Sequence, residues 1–173
     1  MLMKAVGSII VFFSCTAAGI FLSIKDKFRA DELKEMKRGF MLLKSEISYA
    51  SKPLYEAMIE ISERTENTVS EIFEDSGRLL KSKKVSSVSE AWEKTIKDRR
   101  SRTYFKSEDI DMLAAFGKIL GGSDKECQLS NIDTAIDYID MKAEELIKKN
   151  TKDSRLFKSG GVLCGILIVV VLF

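Results

Sequence analysis

The sequence predicts an all-α protein, an antiparallel helical bundle of about six helices between an N-terminal transmembrane helix and a C-terminal hydrophobic membrane segment. Three observations predict it. Apolar residues recur in alternating three- and four-residue steps through charged stretches, no run of alternating β-branched residues competes, and uncharged apolar runs occupy both ends. The 173 residues, 45% hydrophobic and 31% charged with a single proline, have room for one core-bearing domain with attachments.

The first element is the apolar run. Ala5 to Ile24 carries no charge, and as a helix it is about 30 Å long, the hydrocarbon thickness of a bilayer. A cleaved secretory signal is the rival, with Lys4 as its charged start, as is a lipoprotein signal with Cys15 acylated. The run exceeds a typical signal core, and the bulky Phe12 stands where a lipoprotein signal expects a Leu-like residue. At the other end Gly160 to Phe173 is uncharged, about 21 Å of helix. Extended back to Leu156 it reaches the lower limit for a span, with Lys158 able to snorkel. A Gly161-x-x-x-Gly165 spacing there permits close helix packing.

Lys25, Lys27 and Arg29 follow the first run, and Lys148, Lys149, Lys152, Arg155 and Lys158 precede the second. The positive-inside rule then puts the middle region in the cytoplasm. The basic cluster at 148–158 reads equally as a solvated helix face and as a contact for anionic lipid. The expected domains are a transmembrane helix at 1–24, a cytoplasmic helical domain at 25–158 and a membrane segment at 159–173.

Within the middle region, helices are expected near 26–50, 53–64, 68–81, 88–99, 108–120 and 124–150. Thr68-Val69-Ser70-Glu71, Ser87-Val88-Ser89-Glu90 and Ser123-Asp124-Lys125-Glu126 fit capping boxes. Ser107 with Glu108 and Asp109 reads as a cap followed by dipole-matching acids. Pro53 suits a first helical turn and Gly121-Gly122 a helix stop. The long first helix carries a seam of Leu33, Met36, Phe40, Leu43, Ile47 and Ala50; the last carries Leu129, Ile132, Ile136, Ile139, Ala143 and Leu146. Seams this narrow need a partner along their length, and antiparallel packing of the two helices on each other is the simplest solution. Phe73, Trp92 and Phe116 are expected core residues of the shorter helices.

Chemistry is scarce. With no histidine, His-based triads and His metal sites are excluded, and Cys15, Cys127 and Cys164 are neither a disulfide framework nor a zinc pattern. No Walker loop is present. Glu108, Asp109 and Asp111 read as surface charge at a helix start rather than metal ligands. Cys127 lies in a first turn but has no base to activate it. Tyr104-Phe105 between Arg102 and Lys106 invites a nucleic-acid reading, yet with Lys4 set aside the chain carries 27 basic against 26 acidic residues. That balance argues against a phosphate-backbone binder. No cofactor, metal or catalytic residue is expected, and the function is read as lying in surfaces and anchoring.

Leu42-Leu43-Lys44-Ser45-Glu46-Ile47-Ser48-Tyr49-Ala50-Ser51-Lys52-Pro53-Leu54-Tyr55-Glu56-Ala57 resembles the stage III sporulation protein AB family of endospore-forming bacteria. So does Phe116-Gly117-Lys118-Ile119-Leu120-Gly121-Gly122-Ser123-Asp124-Lys125-Glu126-Cys127-Gln128. That family is similar in turn to the helical cytoplasmic domains of the platform proteins of type II secretion and type IV pilus systems. The resemblance implies a non-enzymatic scaffold in the mother-cell membrane around the forespore, part of a channel complex joining the two cells. It implies a secretion-type ATPase and other channel-complex subunits as partners, and it leaves a homo-oligomer open. Within the first stretch, Glu46, Tyr49, Pro53 and Leu54 are the candidate residues, for a structural corner first and for partner contact second. Glu46 is expected to accept from the free N–H groups of the helix at 53–64. The alternative is a lipid-anchored or signal-processed extracytoplasmic helical interaction protein.

Overall fold

The computed structural model describes the backbone at residues 2–49, 52–122 and 124–172, and side chains at 24–49, 52–122 and 124–149. The described backbone is helical with no strand: α1 (Leu2–Tyr49), α2 (Leu54–Arg64), α3 (Asn67–Lys81), α4 (Val88–Arg99), a 3₁₀ turn (Arg100–Arg102), α5 (Ser107–Ile119) and α6 (Lys125–Leu172). The two end helices are longer than expected, continuing without a break through the predicted domain boundaries. Apart from Ile24, the expected membrane segments lie outside the residues whose side chains are described, as does the Gly161-x-x-x-Gly165 spacing. Among the described residues no helix is long and apolar enough to cross a membrane.

The chain forms two compact units, 1–28 with 145–173, and 29–144. In the second, the antiparallel pairing of α1 with α6 is visible in its ion pairs. Lys37 meets Asp140 at 2.7 Å and Lys44 meets Asp133 at 2.5 Å, so each step up α1 is matched by a step down α6. Leu33, Met36, Phe40 and Leu43 are fully buried on α1, and Ile132, Ala135, Ile139 and Ala143 are buried on α6. Ala135 takes the interior place expected of Ile136, which is half-buried together with Ile47 and Leu129, while Ala50 lies outside the described residues.

Local sequence sets the short helices. Ser87 caps α4 by accepting from the Glu90 N–H at 3.1 Å, while the Glu90 carboxylate accepts from the Ser86 N–H at 2.7 Å. Gly121 carries φ +81°, the left-handed position that stops a helix after α5. Two caps differ from expectation. α3 begins one residue earlier, at Asn67, because Thr68 donates to the Arg102 carbonyl at 3.3 Å and Glu71 is taken by Arg99 and Arg102. In α5, Ser107 is already helical and accepts from Arg100, and Asp109 reaches back to the Lys106 N–H at 2.8 Å. At α6, Asp124 accepts from the Cys127 N–H at 2.8 Å, and Ser123 lies outside the described residues. Pro53 precedes α2 as its cap, its carbonyl accepting from Glu56 and Ala57 N–H groups.

The core is an aromatic cluster of Phe40, Phe73, Trp92 and Phe116, with Phe40 and Phe116 centroids 4.4 Å apart and Phe73 and Trp92 5.3 Å apart. The expected interior roles of Phe73, Trp92 and Phe116 hold. Gly117 lets α5 approach Trp92: a Cβ there would stand 2.3 Å from the indole Cδ1. On α3 the Ser76 hydroxyl is fully buried with no hydrogen-bond partner. An unpaired buried hydroxyl costs stability, so Ser76→Ala is expected to raise unfolding free energy by about 1 kcal/mol. Urea denaturation followed by the fluorescence of the single tryptophan checks this, and a lower midpoint would contradict it.

Candidate functional site

Within the 29–144 unit, the end where α1 turns into α2 holds a groove of about 370 Å³ lined by Glu46, Ile47, Lys52, Leu54, Ala57, Val88, Gly121, Lys125 and Gln128. Its residues come from segments far apart in the chain. The last turn of α1 gives Glu46 and Ile47, the corner gives Lys52, and α2 gives Leu54 and Ala57. Val88 opens α4, Gly121 follows α5, and Lys125 and Gln128 come from the first turn of α6. Both sequence stretches that resemble the sporulation family therefore meet in one place.

Ionic contacts hold the groove in shape. Lys52 reaches Glu46 at 3.1 Å and also pairs with Glu60, so one ammonium ties the end of α1 to α2. The hydrogen bonds to Glu60 and Glu46 hold Lys52 above the usual lysine range. Lys125 donates to the Ser48 carbonyl at 2.7 Å, fastening the start of α6 to the end of α1. Gly121 leaves room for Val88, whose Cγ2 would stand 2.8 Å from an added Cβ.

Of the four expected residues, Glu46 and Leu54 share the groove, while Tyr49 is 89% exposed and Pro53 is exposed at the head of α2. The Glu46 carboxylate meets the Lys52 ammonium rather than the N–H groups of α2, a correction with a simple cause: a cation three residues past the helix end is the stronger partner. Lys52, Gly121, Lys125 and Gln128 all lie inside the family-like stretches, yet nothing local joins one stretch to the other. Val88 is marked in the sequence only as the start of α4, and nothing there points it to the groove. Among the described residues the lining offers apolar side chains and paired charges, with no hydroxyl, thiol or imidazole to act as a nucleophile or base. Among the described residues no group of His, Cys, Asp and Glu could hold a metal. The arrangement can bind a protein surface.

At the start of the same unit lies a polar cluster of another kind. Arg29, read from sequence as a juxtamembrane charge, is buried: its Nε and Nη2 fork onto Asp109 at 2.7 and 2.8 Å, and Nη2 also reaches Glu108 at 2.6 Å. Asp109, expected on the surface, is fully buried for the same reason, and it also accepts from the Lys106 N–H. Burial alone would lower the Arg29 pKa, but the hydrogen bonds to Asp109 and Glu108 raise it. One turn on, Glu32 accepts from the Tyr104 N–H at 2.7 Å, and together these contacts tie residues 104–109 to α1.

Glu32 and Glu108 respond to pH in opposite senses. Burial pushes the Glu32 carboxyl up despite its hydrogen bond from Tyr104. Its contribution to stability is complete below the ordinary glutamate range and is lost as pH rises through the higher folded value. The hydrogen bond from Arg29 holds Glu108 low, so its contribution is present above the ordinary range and is lost as pH falls. Glu32→Gln keeps an acceptor for Tyr104 and removes the buried charge. It is expected to stabilise the unit at neutral pH and to change little in acid; urea midpoints at the two pH values test this, and an unchanged neutral midpoint would count against it.

Comparison with known proteins agrees with the fold. The sequence profile of the family described as stage III sporulation protein AB matches residues 4–173. Stage III sporulation protein AB of Bacillus subtilis (strain 168) is 24% identical over 171 residues, covering 99% of each chain. A solved structure of a stage III sporulation protein AB superposes with a TM-score of 0.67 at 23% identity, over 72% of this chain and 97% of that one.

Proposed function

The chain belongs to the stage III sporulation protein AB family, and from that premise we propose that it is a non-enzymatic, membrane-anchored scaffold of a secretion-like channel complex linking mother cell and forespore. It sits in the mother-cell membrane around the forespore with its helical domain in the cytoplasm. There the domain docks a secretion-type ATPase and meets other subunits of the complex. The observation that carries this reading is the convergence of residues 42–57 and 116–128 on one groove, with an apolar floor of Ile47, Leu54, Ala57 and Val88 and ionic pins on either side. A rigid, partly apolar groove between charged rims has the composition of a protein-binding patch.

The test uses the full chain in lipid nanodiscs and the cognate ATPase in its ATP-bound, ADP-bound and nucleotide-free states. Binding is expected in at least one state, and Leu54→Arg is expected to weaken it by about tenfold or more without moving the unfolding midpoint. Leu54 is only half-buried, so the substitution leaves the core intact. Absence of binding in every state sinks the docking role. Single-cysteine reporters near Met1, Ser86 and Phe173 check the orientation, with Ser86 expected to react from the cytoplasmic side alone.

A further inference from the structure

Between Ser76 and Ser89 the chain carries Arg78, Lys81, Lys83 and Lys84 and no acidic residue. This stretch runs from the end of α3 through the turn into α4. Arg78 is paired with Glu74 at 2.6 Å, whereas Lys81, Lys83 and Lys84 are exposed and their ammonium groups meet no carboxylate among the described residues. The nearest acid on each side is engaged elsewhere: Asp75 pairs with Arg99 at 2.6 Å, and Glu90 accepts from the Ser86 N–H. The helix dipole accounts for cations in the last turn of α3, but it fades beyond that turn, where two more stand. Lys83 also has φ +54°, the left-handed conformation just past the α3 cap where glycine is the ordinary occupant. A lysine held there costs stability, so folding does not account for the choice of a cation.

The turn leads into Val88, which lines the groove, and four residues of chain keep Lys84 within about 14 Å of it. A protein seated in the groove is therefore bordered by three uncompensated positive charges. Nucleic acid fits them poorly, because residues 76–89 contain no aromatic side chain on which a base could stack. An anionic bilayer also fits poorly, because no large hydrophobic residue of this stretch is exposed to anchor in it. The chain, moreover, leaves the 29–144 unit from the opposite end, where Arg29 and Lys142 both meet Glu108. We propose that the 81–84 turn receives an acidic segment of the protein docked in the groove, with Asp or Glu side chains of that partner on Lys81, Lys83 and Lys84. The proposal rests on the docking reading and adds to it the charge of the partner's surface and the residues that recognise it.

The experiment titrates the full chain in phosphatidylcholine nanodiscs with the cognate ATPase in each nucleotide state, at low and high salt. Lys81→Gln/Lys83→Gln/Lys84→Gln is expected to weaken binding by about tenfold at low salt, mostly by slowing association, and to flatten the salt dependence. Because these side chains are exposed, the unfolding midpoint should not fall. Lys83→Gly separates recognition from folding: it should raise the midpoint by relieving the left-handed backbone and still weaken binding by about twofold. Carbodiimide coupling of the complex should join these lysines to Asp or Glu of the ATPase, and coupling at other lysines alone counts against the proposal. Unchanged affinity and salt dependence in the triple variant overturn it and leave the docking role, which Leu54→Arg tests, standing. Absence of ATPase binding in every nucleotide state defeats the docking role and the proposal with it. Should the triple variant lose binding to phosphatidylglycerol vesicles or duplex DNA while keeping that to the ATPase, the lysines serve that other surface and the proposal is overturned as well.

Discussion

Asp109→Ala is expected to lower the stability of the 29–144 unit by about 3–5 kcal/mol, enough to unfold a marginal domain. The size follows from what the substitution leaves behind. The Arg29 side chain is 4% exposed and that of Asp109 is 0%. Removing the carboxylate leaves a guanidinium in the interior with two of its N–H groups unmatched, and the Lys106 N–H loses its acceptor too. Glu108 cannot replace it, being half-exposed and already shared with Lys142 at 3.7 Å. The double variant Arg29→Met/Asp109→Leu removes both charges at comparable volume and is expected to recover most of the loss. Thermal unfolding followed by circular dichroism, with single and double variants side by side, checks both statements. If the double variant were as unstable as the single, the pair would be acting through its shape rather than its charge.

Trp92→Ala is the other large effect, about 3–5 kcal/mol from lost burial and the cavity left behind. The indole packs against Phe40, Phe73 and Phe116 from three different helices, with centroids 5.3–6.0 Å away. Its Nε1 donates to the Leu113 carbonyl at 2.8 Å, so α4 and α5 share a hydrogen bond as well as a face. The gap cannot close by a small collapse, because three rings from separate elements would have to move together. Trp92→Phe keeps part of the volume and loses the hydrogen bond, so it should fall between the alanine variant and the unaltered chain. Circular dichroism midpoints read the series without relying on tryptophan fluorescence, and equal midpoints for the two variants would contradict the cavity argument.

The helices were legible because their signals are local. Ser87 with Glu90, Gly121 after Ile119, and the apolar steps of α1 and α6 each act within a turn or two, and the structure places those elements within a residue or two of expectation except at the long outer ends. The Arg29–Asp109 pair was not legible, since 80 residues separate its members and each had a sufficient local reading, one as a flanking cation and the other as a helix-dipole acid. Thr68 shows the same limit on a smaller scale: a capping-box spacing was present, but the hydroxyl found the Arg102 carbonyl instead. The groove was half visible. Glu46 and Leu54 could be singled out from one stretch, whereas their meeting with Gly121, Lys125 and Gln128 depends on how α6 returns along α1.

That return sets a timetable for synthesis. The residues of α1 that pair with α6 wait for partners 89 and 103 positions further along the chain, and at ribosomal speeds that delay is on the order of ten seconds. For that interval Leu33, Met36, Phe40 and Leu43 have left the ribosome while Ile132 and Ile139 are still unmade. The hairpins between them involve near neighbours and can close at once. A nascent chain of this protein therefore holds Leu33, Met36 and Leu43 without their α6 partners until Ile132 and Ile139 are made, which makes α1 a segment where a chaperone or a premature stop before α6 would have a large consequence.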